Sequence, residues 1–246
     1  MISNQATITK MQELRMHGMA RAFQRTLEAG LEPRVTPDEL LAHLIDAEWD
    51  DRRFRKQQRL RKAAQFRYEA SFEELDFSTQ RNLDKNTILR LSDCSWVRDH
   101  KDILITGPTG IGKSFLGSAL GSAACDAGYK VYYQLAGRLM GTLKEARRTG
   151  TYLKILAKLT KHDVLILEDF GISPFDEEGR LALLDILEDR HGLRSTLFLS
   201  QLPVASWHGI IGDSTIADAV MDRIVYGSIR IELKGESFRK KLYQDR

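Results

Sequence analysis

The sequence predicts an α/β protein: a five-stranded parallel sheet covered by helices on both faces, preceded by a small helical part. Three observations carry this expectation. From Asp102 onward short β-type runs alternate with helical stretches, as in a parallel sheet built from crossover helices. Before about residue 95 the apolar residues recur at helical spacing. Where the two parts meet, "ILITGPTGIGKSFLGSAL" (103–120) passes from an apolar run through a glycine-rich turn into a helix-like tail.

The first element in order is "TKMQELRMHGMARAFQRTLEAG", read as helical and stopped at Gly30. A new helix starts at Thr36, Pro37, Asp38 and Glu39, where a capping hydroxyl, a proline and first-turn acids coincide. Its apolar stripe is Leu40, Leu41, Leu44, Ile45 and Trp49, which thins to Phe54 and Leu60 where "RRFRKQQRLRKAAQFR" (52–67) begins. That run holds eight cations and no acid: Arg52, Arg53, Arg55, Lys56, Arg59, Arg61, Lys62 and Arg67. Two readings stay open. The run contacts an anionic partner, duplex DNA above all, or it is a solvated helix face paired with Asp46, Glu48, Asp50 and Asp51. Should the first fail, Lys144, Arg147 and Arg148 offer another path for DNA.

"FEELDFSTQRNLDKNTILRLSDCSWVRDHKD" reads as an irregular, partly helical bridge into the first strand. The expected organisation is a helical part over 1–70, a linker over 71–101 and the α/β part over 102–246. Strands are expected at Ile103 to Thr106, Lys130 to Gln134, Val164 to Glu168, Thr196 to Ser200 and Ile229 to Leu233. In such sheets ligands bind beyond the carboxyl ends of the strands.

The first of those ends carries G-x-x-x-x-G-K-[ST] as Gly107, Pro108, Thr109, Gly110, Ile111, Gly112, Lys113 and Ser114, followed by Phe115. A strand before and a helix after it are the context a phosphate-binding loop requires. Its glycines let successive N–H groups turn toward phosphate oxygens, and the helix adds the positive end of its dipole. Lys113 is expected on the β- and γ-phosphates of a nucleoside triphosphate, and the Ser114 hydroxyl on magnesium. "DVLILEDFG" places Glu168 and Asp169 at the third strand's end, where adjacent carboxylates need a cation between them and the substrate. One carboxylate then holds the metal and the other activates water. Ser200 and Gln201, at the exit of "LFLSQLP", are polar candidates to reach the γ-phosphate.

Composition narrows the class. With 42% hydrophobic and 29% charged residues the chain is ordinary for a globular protein. No apolar run approaches bilayer length and the first residues lack a signal-peptide core, so the expected location is cytoplasmic with no membrane partner. Cys94 and Cys125 stand in neither metal-ligand nor redox spacing, and are expected as buried thiols.

"GPTGIGKS", "LILEDFG", "EDRHGLRSTLFLSQLP", "IIGDSTIADAVMDRI" and "IRIELKGESFRKK", with "GMARAF" and "LIDAEWDDRRFRK", closely resemble the IstB family, ATP-binding helpers of insertion sequences that act with the transposase IstA. The wider likeness is to AAA+ ATPases of the DnaC helicase-loader type. The resemblance implies an AAA+ P-loop NTPase core and ATP with Mg2+ as cofactors. It implies a self-assembling ATPase that hydrolyses ATP slowly, binds and remodels duplex DNA, and recruits the transposase. It assigns Lys113 and Ser114 to Walker A, Glu168 and Asp169 to Walker B, and Ser200 or Gln201 to sensor 1. Arg223 of "DAVMDRI" matches the family's arginine finger, which acts on ATP of a neighbouring subunit, although pairing with a nearby acid is the plainer reading of the residue alone.

One departure is that Glu168 stands where most relatives have Asp, which leaves the division of labour with Asp169 open. Thirteen residues follow Leu233, too few for the helical lid of many AAA+ proteins, so a lid is not expected and Arg239 or Lys240 is the candidate phosphate sensor. A replicative helicase loader is the alternative function, and a P-loop kinase of a small metabolite a third.

Overall fold

The computed structural model describes residues 3–30, 35–77 and 81–237. Arg239 and Lys240 lie outside the described residues. The chain divides into two compact units, 1–59 and 60–246.

In the first unit α1 (Asn4–Glu13) and α2 (His17–Ala29) replace the one helical stretch expected, because the chain turns at Arg15 with φ 59°. Helix α3 (Pro37–Ala64) begins where the start signal lies. Thr36 N–H and hydroxyl both donate to Glu39 Oε2, at 2.8 and 3.0 Å, and Glu39 N–H donates back to Thr36 Oγ1 at 3.3 Å, a closed capping box. Helix α2 has no capping side chain of its own. Glu48 supplies one from α3, accepting the N–H groups of Gly18 at 2.8 Å and Met19 at 3.2 Å. Gly18 permits that approach, since a Cβ there would stand 2.3 Å from Ala47 O.

This contact corrects the expected stripe on α3. Leu44 is buried, but Leu41, Ile45 and Trp49 are exposed, while the acid Glu48 is buried. The polar cap of α2, more than a continuous apolar seam, selects the face that α3 buries.

The second unit holds, in chain order, α4 (Lys85–Leu91), α5 (Ser95–Arg98), β1 (Ile103–Thr106), α6 (Lys113–Asp126), β2 (Val131–Leu135), α7 (Ala136–Arg148) and α8 (Tyr152–Thr160). There follow β3 (Val164–Glu168), α9 (Glu177–Arg190), β4 (Ser195–Ser200), α10 (Trp207–Ile211), α11 (Ser214–Val225) and β5 (Ile229–Glu232). The five strands lie parallel in the order β2-β3-β4-β1-β5, each within one residue of its expected bounds.

Alternation along the strands builds two cores. Ile103, Ile105, Ile166, Leu197 and Leu199 face α6 through Leu116 and Leu120, whereas Leu104, Leu165, Leu167 and Phe198 face Leu143 of α7, Ile186 of α9 and Val220 of α11. Strands buried on both faces read as near-continuous apolar runs, which is why β1 and β3 are legible in the sequence. Leu75, Ile88, Leu91, Trp96 and Val97, from the stretch expected as a linker, are buried in the first core, and Leu60 and Phe66 pack against it. Among the described residues no helix is long and apolar enough to cross a membrane. Both thiols are buried, and burial pushes Cys94 up to about 11 and Cys125 to about 12.

Candidate nucleotide-binding site

The glycine-rich loop leaves β1 at its carboxyl end, with Gly107 N–H held by Ser200 O at 3.2 Å. Gly107 has φ 147°, and a Cβ there would stand 2.4 Å from Leu233 O. Gly112, at φ 103°, turns the loop into α6. Both positions require glycine. Lys113 opens α6 and is nearly buried, its Nζ donating to Gly107 O at 2.7 Å and Pro108 O at 2.8 Å. The ammonium therefore lies curled within its own loop.

Beside it the Ser114 hydroxyl donates to Glu168 Oε1. Glu168 ends β3 and is 2% exposed. Its Oε1 also accepts Arg67 Nη1 at 2.8 Å, and its Oε2 accepts the Tyr133 hydroxyl at 2.6 Å. Burial, then the hydrogen bond to Glu168, raises the Tyr133 phenol well above its usual range. The charge of Glu168 raises the Arg67 guanidinium further still. The oxygen pair Ser114 and Glu168 suits a hard divalent cation that keeps substrate phosphates as its other ligands, so these residues fit magnesium.

Asp169 follows with φ 57°, a left-handed conformation that aspartate tolerates, and is half-buried. Gln201 spans the mouth of the site: its Oε1 accepts Thr109 Oγ1 at 2.5 Å, and its Nε2 lies 3.5 Å from Asp169 Oδ1. Ser200, in contrast, is fully buried and donates to Phe170 O at 2.7 Å. Its hydroxyl ties down the backbone beyond Glu168 and accepts the Leu202 N–H at 3.1 Å. Of the two sensor candidates, the structure brings Gln201 to the loop.

Arg223 sits elsewhere. Its Nη1 donates to Ala219 O at 2.7 Å and its Nη2 pairs with Glu188. It shares a small cavity with Asp102 and Thr196, at the amino-terminal ends of β1 and β4 and so at the opposite end of the sheet from the loop. Its own chain's loop is out of reach, for four-residue β1 alone separates the two ends by roughly 13 Å.

The basic run is divided by its contacts. Arg52 pairs with Glu48 at 2.6 Å, Arg55 with Asp51 at 2.7 Å, Arg61 with Asp126 and Arg67 with Glu168. Arg53, Lys56, Arg59 and Lys62 are exposed, with no ion pair among the described residues. On the other candidate path, Lys144 pairs with Asp176 at 2.7 Å, Arg147 with Asp185 at 3.2 Å and Arg148 with Glu145 at 3.7 Å.

Sequence reasoning missed the role of Arg67 at the site and missed Tyr133 altogether. In the sequence Arg67 is one cation of the basic run. Tyr133 carried one signal, its inward position on a strand beside β3, and no spacing rule connects it to Glu168.

The model of the IstB-like ATP binding protein family matches residues 9–245. The chain belongs to that family. An insertion sequence ATP-binding protein of Sinorhizobium fredii (strain NBRC 101917 / NGR234) is 40% identical to this IstB-like chain over 234 residues, covering 95% of this chain and 96% of the relative. Among solved structures, DnaI is similar with a TM-score of 0.59 at 20% identity, covering 68% of this chain and 92% of DnaI. The DnaC helicase loader is similar with a TM-score of 0.52 at 18% identity, covering 72% and 99%. At such identities the likeness speaks to fold alone: the five-stranded parallel sheet and its covering helices in this IstB-like protein are shared with these structures.

Proposed function

We propose that this chain is an ATP-dependent, DNA-binding regulator of DNA transposition. In its ATP-bound form it assembles on duplex DNA, deforms the duplex, and recruits and activates an IstA-type transposase. The observation that carries this reading is the meeting of Ser114 and Glu168 beside a glycine loop, in a chain of the IstB-like family. The name of the S. fredii relative, an insertion sequence ATP-binding protein, supports the genetic setting.

The backbone N–H groups of Gly107 to Phe115 cradle the phosphates, and Lys113 exchanges the carbonyls of Gly107 and Pro108 for β- and γ-phosphate oxygens. Ser114 and Glu168 are the residues that would hold magnesium. When bound there, such an ion would supply positive charge that offsets the charge of the substrate phosphates. Asp169 accepts the proton of the attacking water, and Gln201, linked to both Thr109 and Asp169, orients it. Water oxygen bonds to the γ-phosphorus as the β–γ phosphoanhydride breaks, leaving ADP and phosphate. Arg223 completes the site of a neighbouring subunit, where its guanidinium stabilises charge developing on the γ-phosphoryl oxygens. The exposed cations Arg53, Lys56, Arg59 and Lys62 contact DNA phosphates without reading sequence.

Phosphate release by the full chain, measured alone, with random-sequence duplex and with duplex plus transposase, tests the reading. Release should be slow alone and rise with each addition. Release that responds to single-stranded DNA and a replicative helicase, but to neither duplex nor transposase, would transfer the chain to helicase loading.

A further inference from the structure

Glu168 is the most heavily engaged acid of the site, and one of its partners is itself a cation. Ser114, Arg67 and Tyr133 all donate to it, Arg67 and Ser114 to the same oxygen. A carboxylate offers about four lone-pair positions, so three donors leave little room for a further ligand. The side chain of Arg67 is 42% exposed while that of Glu168 is 2% exposed, which places the guanidinium at the solvent side of a buried acid. Arg67 is also 101 residues from Glu168 in the chain, in the irregular stretch that follows α3. Phe66, its neighbour, packs edge-on against Tyr133 with ring centroids 6.0 Å apart, so both members of this short stretch are seated on the residues around Glu168.

A buried carboxylate without counter-charge is strongly disfavoured, and in this arrangement Arg67 provides the charge. A divalent cation held by Ser114 and Glu168 would take the same oxygen and lie against the guanidinium. Two like charges in contact repel strongly in a site shielded from water. The ion and the Arg67 contact therefore exclude one another.

We propose that Arg67 is a built-in counter-cation: it closes the metal position of the nucleotide-free protein and is exchanged for the divalent ion that arrives with the nucleotide. This rests on the reading of Ser114 and Glu168 as the metal pair. The exchange frees a guanidinium and releases the stretch around residue 67 from the site, so that the loading state is reported at the end of the basic run. Arg67 thus competes with the ion and is not a contact to the nucleotide.

The test uses the full chain and a fluorescent N-methylanthraniloyl ATP, titrated with magnesium and again in excess EDTA. Arg67→Gln removes the competitor, so its magnesium-dependent affinity should rise about tenfold over the parent, while affinity in EDTA should not rise. Arg67→Lys keeps the charge and should stay near the parent. Hydrogen exchange in peptides covering residues 64–70 gives a readout that needs no variant. In the parent, magnesium with ADP should speed exchange there and ADP in EDTA should not. Unchanged or weaker magnesium-dependent binding by Arg67→Gln, or slower exchange at 64–70 on loading, would overturn the exchange while leaving the metal pair standing. A parent whose nucleotide affinity ignores magnesium would overturn the metal pair and this proposal with it.

Discussion

Asp102 Oδ1 accepts the Thr196 N–H at 2.6 Å, joining the starts of β1 and β4 behind the site. Burial pushes the Asp102 carboxyl up to about 7, against the opposing pull of the Thr196 N–H and Arg190. Arg190, buried beside it, is brought down to about 10 by that burial and donates to Leu159 O at 2.8 Å, His162 O at 2.9 Å and Ser195 O at 2.6 Å.

The folded state therefore binds the Asp102 proton more tightly than the unfolded chain does. Its stabilising contribution is complete below about pH 4 and is lost as pH rises toward 7, at a slope of at most about 1.4 kcal/mol per unit. Asp102→Asn keeps an oxygen for Thr196 and should remove this slope. Urea unfolding of both proteins at pH 5 and pH 8 checks it, and equal pH dependence in the two would contradict it.

Lys113→Ala should weaken ATP binding by roughly 10- to 100-fold, the range of one charge-assisted hydrogen bond. The ammonium donates to the carbonyls of Gly107 and Pro108, bonds that it exchanges for phosphate oxygens when ATP binds. Calorimetric titration with ATP reads the affinity. Parental affinity would remove Lys113 from the phosphates.

These features differ in how openly the sequence displays them. Strands β1 and β3 and the loop from Gly107 to Ser114 were legible because each is a local pattern: apolar runs of four or five residues, then glycines at fixed spacing before a lysine. The α3 stripe misled, since Leu41, Ile45 and Trp49 share helical spacing with Leu44 yet face solvent, and the buried face is set by Glu48 capping α2. No local pattern marks a residue whose partner lies on a distant strand. Arg67 therefore looked like one more surface cation, and Ser200 looked like a ligand although its hydroxyl belongs to Phe170 O.

Arg223→Ala should bind ATP nearly as the parent does and hydrolyse it at least about a thousandfold more slowly, because an arginine supplied in trans acts in the transition state. Asp169→Asn should also bind and fail to turn over. Mixtures of the two should regain activity at interfaces that pair an intact site with an intact Arg223. Co-assembled mixtures no more active than their components would confine Arg223 to its observed pairing with Glu188.

For DNA, Lys56→Ala, Arg59→Ala and Lys62→Ala combined should flatten the plot of log affinity against log salt by about one unit per true contact, roughly three in all. Alanine keeps the helix. Arg52→Ala with Arg55→Ala should instead lower stability, because these two pair with Glu48 and Asp51. Fluorescence anisotropy over a salt series reads the slope, and an unchanged slope in the triple variant would direct attention to Lys144, Arg147 and Arg148.

ATP-dependent assembly on duplex DNA is measured most directly by sedimentation velocity of the full chain with a random-sequence duplex, with and without Mg·ATP, beside Lys113→Ala. The expected result is a large protein–DNA species that forms only when ATP and duplex are both present and that Lys113→Ala does not form. A parent that sediments identically with and without ATP on the same duplex would contradict it.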